Sequence, residues 1–352
     1  MSKIVVTGAT GFVGYHVAKK LVGADWGEVV CLARPGSPRE FLNQLHVKVV
    51  EGDLRDARSL ENVCRGAELL FHVAADYRLW ARHPQELFLS NVGGTANLLS
   101  AAMECGVKKV VYTSSVSAVG RPEPHAKMRA DYSRLSGEER EQWEKLYQGD
   151  ESLDPTAAQQ IGPYKQSKYL AELKVREFVR EGCPAIIVNP STPVGSHDVK
   201  PTQTGKLILD FLNHRMPAYL DTGLNLVDVE DVALGHLLAA EKGRVGERYI
   251  LGNKNMMLKE LLDLLARVTG LTAPRYKIPY AIAFAAGAVS TLLAEATGRS
   301  PGIPLDGVKM AREVMFYSPS KAVRELNLPQ SSVEEALAKA ARFFSDRGYV
   351  KG

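Results

Sequence analysis

The chain has 352 residues, 45% hydrophobic and 24% charged, with a net charge of +4. That is an ordinary globular composition, long enough for one large domain or a main domain with a smaller lobe. No basic run is interleaved with aromatics, which argues against nucleic acid as a partner.

Four cysteines, Cys31, Cys64, Cys105 and Cys183, stand far apart with no C-x-x-C pair. They read as small buried hydrophobes in a reducing compartment, with no metal site. No signal-peptide pattern precedes the first apolar run, so a cytoplasmic location is expected.

The first predicted element is a short strand, Lys3–Val6. The turn Thr7-Gly8-Ala9-Thr10-Gly11-Phe12-Val13-Gly14 follows, then a helix-like stretch from Val13 to Leu21. Strand, glycine turn and helix N-terminus together form a phosphate-binding device. The Gly8-x-x-Gly11-x-x-Gly14 spacing is one residue wider at its first interval than the usual dinucleotide fingerprint. Placement after an apolar strand favours a cofactor turn over a glycine-rich hairpin.

Further strands are predicted at Val29–Ala33, Val47–Glu51, Leu69–Ala74, Lys109–Thr113 and Ala185–Asn189. Helix patterns such as Pro84–Cys105 lie between them. This βαβα order predicts an α/β fold, a Rossmann-type doubly wound parallel sheet with a smaller, mostly helical C-terminal lobe. The dinucleotide-binding domain is expected over 1–190, with a return segment about 225–252. Residues 191–224 and 253–352 would form the substrate lobe, with helices including Leu258–Thr269 and Val333–Arg347. Residues 121–160 read as a polar surface insertion.

The second strand ends Cys31-Leu32-Ala33-Arg34-Pro35. An acid at this place accepts bonds from ribose hydroxyls, whereas an arginine pairs with a 2′-phosphate, so Arg34 favours NADP(H) over NAD(H). The fifth strand ends in Ser114-Ser115, hydroxyls able to bond a substrate oxygen. Ser115 is the choice for catalysis and Ser114 the fallback. Tyr164 and Lys168 share one helix face, and an ammonium beside a phenol favours phenolate. Tyr15-Lys19 and Tyr317-Lys321 repeat the spacing, the first read as packing or surface in the opening helix and the second as a helix-cap segment. The apolar run Ile278–Leu293 is read as a buried or lid helix over the substrate site, with membrane-surface contact as the alternative. Tyr77, Trp80 and Thr202 are candidate substrate-wall residues.

The glycine turn, Ser115, Tyr164-x-x-x-Lys168 and Asn91-Val92-Gly93-Gly94-Thr95 together resemble the extended short-chain dehydrogenase/reductases. Within them the chain is most similar to the dihydroflavonol 4-reductase-like branch, especially the hopanoid-associated sugar epimerases. His72–Trp80, Asn189–Gly195 and Asp221–Val227 carry that likeness. The resemblance implies Tyr164 as acid/base, Lys168 on the nicotinamide ribose and Ser115 orienting the substrate. It implies Asp53 and Leu54 flanking adenine, Ala74 and Ala75 lining adenosine, Asn91 seating the cofactor and Pro190 beside the nicotinamide. Thr10, Phe12, Val13 and Ser114 complete the expected cofactor set.

Hydride transfer to a ketone, nucleotide-sugar epimerisation or dehydration by transient hydride transfer, and a catalytically silent NADP-binding sensor or scaffold are the three functions weighed. By analogy with relatives, helices bearing Asn97–Cys105 and Tyr164–Arg176 would make a homodimer interface.

Overall fold

The computed structural model describes residues 2–122, 132 and 135–351. Within the expected 121–160 insertion, 123–131 and 133–134 lie outside the described residues. The first strands are β1 (Lys3–Thr7), β2 (Glu28–Ala33), β3 (Lys48–Glu51), β4 (Ala67–His72), β5 (Lys109–Thr113) and β6 (Ala185–Pro190). Then come β7 (Thr192–Val194), β8 (Ala218–Tyr219), β9 (Gly223–Asp228), β10 (Arg248–Leu251), β11 (Lys254–Met257), β12 (Tyr276–Lys277) and β13 (Val314–Met315).

Seven strands form one parallel sheet in the order β3-β2-β1-β4-β5-β6-β10. Side chains alternate across it with period two. Ile4 and Val6 of β1 enter a core beneath the helices Phe12–Ala24 and Val229–Lys242, with Val17, Leu21, Val232 and Leu237. Val5 points the other way, into a core with Leu60, Leu98, Leu99 and Val175 from helices Ala57–Cys64, Gly94–Glu104 and Gly162–Arg180. Both faces are dry, which is why these strands read as continuous apolar runs. The order reverses between β1 and β4, so the ligand crevice opens at their carboxyl ends.

The C-terminal lobe contains more strand than the helical lobe expected from sequence. β7, β11 and β13 all pair with β9 in a four-stranded sheet. Helices Gln203–Leu212, Leu258–Thr269 and Val333–Asp346 pack there through Ile208, Leu261, Leu265, Leu337 and Phe344.

Two readings need correction and a third gains detail. The insertion is not simply a surface feature. Its helix Gly137–Tyr147, closed by a Ser136/Glu139 capping box, buries Trp143 against Tyr132 and Phe316. The Tyr317 segment does lead into a helix, Ser320–Leu326, where the Ser318 hydroxyl accepts from Ser320 N–H at 3.3 Å; Tyr317 itself is 1% exposed and its hydroxyl accepts from Arg121 Nη1 at 2.7 Å. The apolar run forms the helix Tyr280–Thr297, but it is not buried. Small residues Ala283, Gly287 and Ala294 seat it, and a Cβ on Gly287 would already sit 3.0 Å from Val308. Ile282, Val289, Leu292 and Leu293 face outward at 58–65% exposure.

Candidate active site

The cofactor turn is shaped by two missing side chains. Gly8 has φ +74°, and a Cβ there would lie 2.6 Å from the Ala74 backbone nitrogen. A Cβ on Gly14 would lie 2.2 Å from the Gly8 carbonyl oxygen. The helix from Phe12 can therefore press onto the turn, while the Gly11 N–H donates to Gly8 O at 2.9 Å. Gly11 offers no side-chain cap, and the first helical turn holds no acid. Its backbone N–H groups at Phe12 and Val13 are left for an anion beside exposed Thr10 and Gly11. That cradle fits the pyrophosphate of a dinucleotide.

A buried hydrogen-bond chain ties this turn to the helix of Tyr164. The Thr7 hydroxyl contacts His72 Nδ1 at 2.8 Å and accepts from Ala74 N–H at 3.2 Å. His72 Nε2 contacts Thr95 Oγ1 at 3.0 Å, and Thr95 donates to Asn91 O at 2.6 Å. Since the Thr95 proton is thus committed, His72 carries its proton on Nε2. Burial and the Lys168 ammonium push His72 down to about 3, so it stays neutral. The Asn91 amide accepts from Asp76 N–H at 2.7 Å and donates to Ser167 Oγ at 2.9 Å. Ser167 in turn donates to Tyr164 O at 2.8 Å. Asn91 sits in a π-helical turn, Leu89–Gly93, a distortion that recurs at functional sites. Its amide holds protein to protein here. His72 escaped the sequence reading because its partners are 65 and 23 residues away.

Tyr164, Lys168, Glu172 and Arg176 form one stripe, four residues apart, along helix Gly162–Arg180. Tyr164 is half-buried, and the loss of water around its phenol raises its pKa, while the neighbouring Ser115 hydroxyl pulls it back. The lowered phenol expected from the lysine is not what this structure holds, because burial wins. Lys168 donates to Thr113 O at 2.8 Å, and burial brings its ammonium down to about 8.

Ser114 points elsewhere. Its hydroxyl donates to Glu172 Oε2 at 2.5 Å, which removes it as the catalytic fallback and turns its side chain from the expected cofactor set. Glu172, fully buried, also binds Asn189 Nδ2 at 2.7 Å, Arg176 at 2.6 Å and Arg248 at 3.1 Å. This hub was missed, although its place in the four-residue stripe is a legible signal.

At the adenosine end, Arg34 is exposed past β2 with no ion pair among the described residues. Asp53 is clasped by Arg55 at 2.7 Å, which holds its carboxyl down to about 2. Leu54 is held in place by Asn97, whose amide donates to Leu54 O at 3.0 Å, and it packs against Gly94, where a Cβ would overlap it at 2.7 Å. Ala74 and Ala75 follow β4 and Pro190 ends β6, all at the carboxyl edge.

Of the proposed wall residues, Tyr77 donates to Lys200 O at 3.1 Å, and Trp80 is half-buried in the same loop. Thr202 does not offer its hydroxyl to a ligand. It caps helix Gln203–Leu212 by accepting from Gly205 N–H at 3.1 Å, and it donates to Asp198 at 2.8 Å.

A sheet in this order, with a glycine cradle at its switch point and a Tyr–Lys pair beside it, defines a nicotinamide-dependent oxidoreductase of the extended short-chain type. The chain belongs to the NAD dependent epimerase/dehydratase family, whose model matches residues 4–252. A putative dihydroflavonol 4-reductase of Synechocystis sp. is 43% identical over 98% of this chain and 95% of its own length. Sterol demethylase protein B of Methylococcus capsulatus is 31% identical, covering 98% of this chain and 99% of its own. A solved nucleoside-diphosphate-sugar epimerase from Pseudomonas aeruginosa superposes with a TM-score of 0.76 over 99% of both chains, at 26% identity.

Proposed function

We propose that the protein is a dehydrogenase or reductase acting on one carbonyl or hydroxyl carbon of a small, partly apolar substrate. The observation that carries this is Tyr164, half-buried beside Ser115 at the carboxyl end of β5, with Lys168 one turn along the same helix. A bound nicotinamide supplies or accepts the hydride. Ser115 holds the substrate oxygen, and Tyr164 delivers its proton as negative charge develops there. Burial keeps that phenol protonated, the form a donor needs. Lys168, held by its bond to Thr113 O, would bind the cofactor ribose.

The apolar-substrate reading rests on committed cations. A nucleotide sugar needs several basic groups for its diphosphate. Lys309 pairs with Asp306, Arg312 lies over the Tyr280 ring, and Arg121 is bound by Glu313 and Tyr317. Epimerisation is the second reading, supported by the family and by the solved sugar-epimerase neighbour. Assaying nucleotide-sugar interconversion while following the nicotinamide band separates the two. Epimer exchange with no net change in absorbance defeats the first reading; net oxidation of NADPH by a ketone supports it.

Arg34 favours NADP(H), because its guanidinium is free to meet a 2′-phosphate. Arg34→Ala should weaken NADPH binding about tenfold and leave NADH nearly untouched; equal losses refute the preference. The exposed helix Tyr280–Thr297 supports peripheral membrane contact. Arg82 and Arg299 stand at its C-terminal end without an ion pair among the described residues, matching anionic lipid. Exposed Leu89 and Leu170 support a homodimer through the helices near Asn97 and Tyr164.

A further inference from the structure

Lys165 follows Tyr164 on the same helix and is only 4% exposed. Its ammonium makes no hydrogen bond or ion pair with any described residue. The ammonium tip is not among the fully enclosed atoms that lack a partner, so it reaches open space while its stem is covered. Two charged side chains face it, Arg121 and Glu313. Arg121 is already bound to the Glu313 carboxylate and, at 2.7 Å, to the Tyr317 hydroxyl. One carboxylate thus faces two buried cations, and positive charge is left over.

The same wall holds other unmet polar groups. Ser117 Oγ, Gln160 Oε1 and Arg121 Nε are buried without a partner. Gln160 Nε2 donates to Ser117 O at 3.2 Å, and Gln159 is hydrogen-bonded to the Arg121 backbone on both sides. Hydrogen bonds thus tie residues 117 and 121 to residues 159 and 160, in one wall that begins beside Ser115 and ends beside Tyr164. Its enclosed atoms are not themselves open to a ligand, but the Lys165 ammonium is, and the charge left over there calls for an anionic one.

We propose that this wall binds a substrate carboxylate, with Lys165 as its cationic anchor, so that the protein acts on an acidic ketone or the matching hydroxy acid. The inference rests on the dehydrogenase reading above. Burial brings the Lys165 ammonium down to about 8, which leaves it charged at neutral pH.

The test uses the whole chain with NADP+ and two probes, a 3-hydroxyalkanoate and its methyl ester, which differ by the charge and one methyl group. Wild type should prefer the acid. In Lys165→Met, the acid-to-ester ratio of kcat/KM should fall by about 10- to 100-fold, the range for a hydrogen bond between charged groups. Lys165→Arg should keep most of the preference. Lys165→Met should also melt no lower than wild type, since the ammonium it removes has no partner in the fold. A wild type that favours the ester, an unchanged ratio in Lys165→Met, or a variant that melts lower overturns the proposal. Ester turnover that vanishes in Tyr164→Phe leaves the dehydrogenase reading standing whatever the acid does. Failure of wild type on both probes and on neutral secondary alcohols overturns both.

Discussion

Two glycines of one helix, Gly14 and Gly23, should respond in opposite directions to the same substitution. An alanine at Gly14 would place its methyl 2.2 Å from Gly8 O, 2.6 Å from Gly8 C and 2.9 Å from Ala9 N. All three are backbone atoms of the cofactor turn, so no side chain can swing aside. The helix must lift or the turn must open, and overpacking of this kind costs about 1–3 kcal/mol. Gly23 lies exposed near the end of the same helix, with nothing within 4 Å of its virtual Cβ. There alanine gains helix propensity, about 0.5–1 kcal/mol. Urea unfolding with and without NADPH reads both effects. Gly14→Ala should lose stability and also lose most of the protection that NADPH gives wild type. Gly23→Ala should gain stability and keep that protection. A Gly14→Ala chain as stable as wild type and equally protected by NADPH would refute the close-approach argument.

Glu172→Ala should be far more damaging than a surface change. It strips a buried carboxylate from Arg248, Arg176, Ser114 and Asn189, at a cost of about 3–5 kcal/mol. Chemical unfolding measures it, and a loss below about 1 kcal/mol would contradict the hub. Asp198 carries the opposite kind of carboxyl. Burial raises it from 3.8 to about 6, so the folded chain holds this proton more tightly than the unfolded one. Its contribution is full below pH 3.8 and is lost as pH rises through 6, on the order of 2–3 kcal/mol. Asp198→Asn should therefore fall less in melting temperature than wild type between pH 5 and pH 7. Parallel profiles would exclude Asp198 as the cause.

The central sheet was legible because its strands are apolar on both faces. β5 occupies the predicted residues, Lys109–Thr113. β4 stops at His72 rather than Ala74, because the Ala74 N–H turns to the Thr7 hydroxyl instead of the ladder. The glycine turn was legible from spacing, and the structure adds the reason: Gly14 is needed by the Gly8 carbonyl as much as by any ligand. The second sheet was not legible. β7 reads Thr-Pro-Val, where proline signals irregular chain, and β13 has two residues. Ser115 was chosen over Ser114 from sequence, but the reason was not legible, since it depends on a carboxylate 58 residues away. The exposure of helix Tyr280–Thr297 escaped because a run apolar all round looks the same whether protein covers it or not.

The central claim is that Tyr164 donates the proton in a site whose cofactor cradle is built separately, around Gly8 and Gly14. Tyr164→Phe removes one oxygen from a ring that Gly162–Arg180 holds in place. NADPH titration and ketone turnover, measured on the same preparation, test it most directly. The variant should bind NADPH as wild type does and lose at least about 100-fold in kcat. Unchanged turnover would remove Tyr164 from the chemistry.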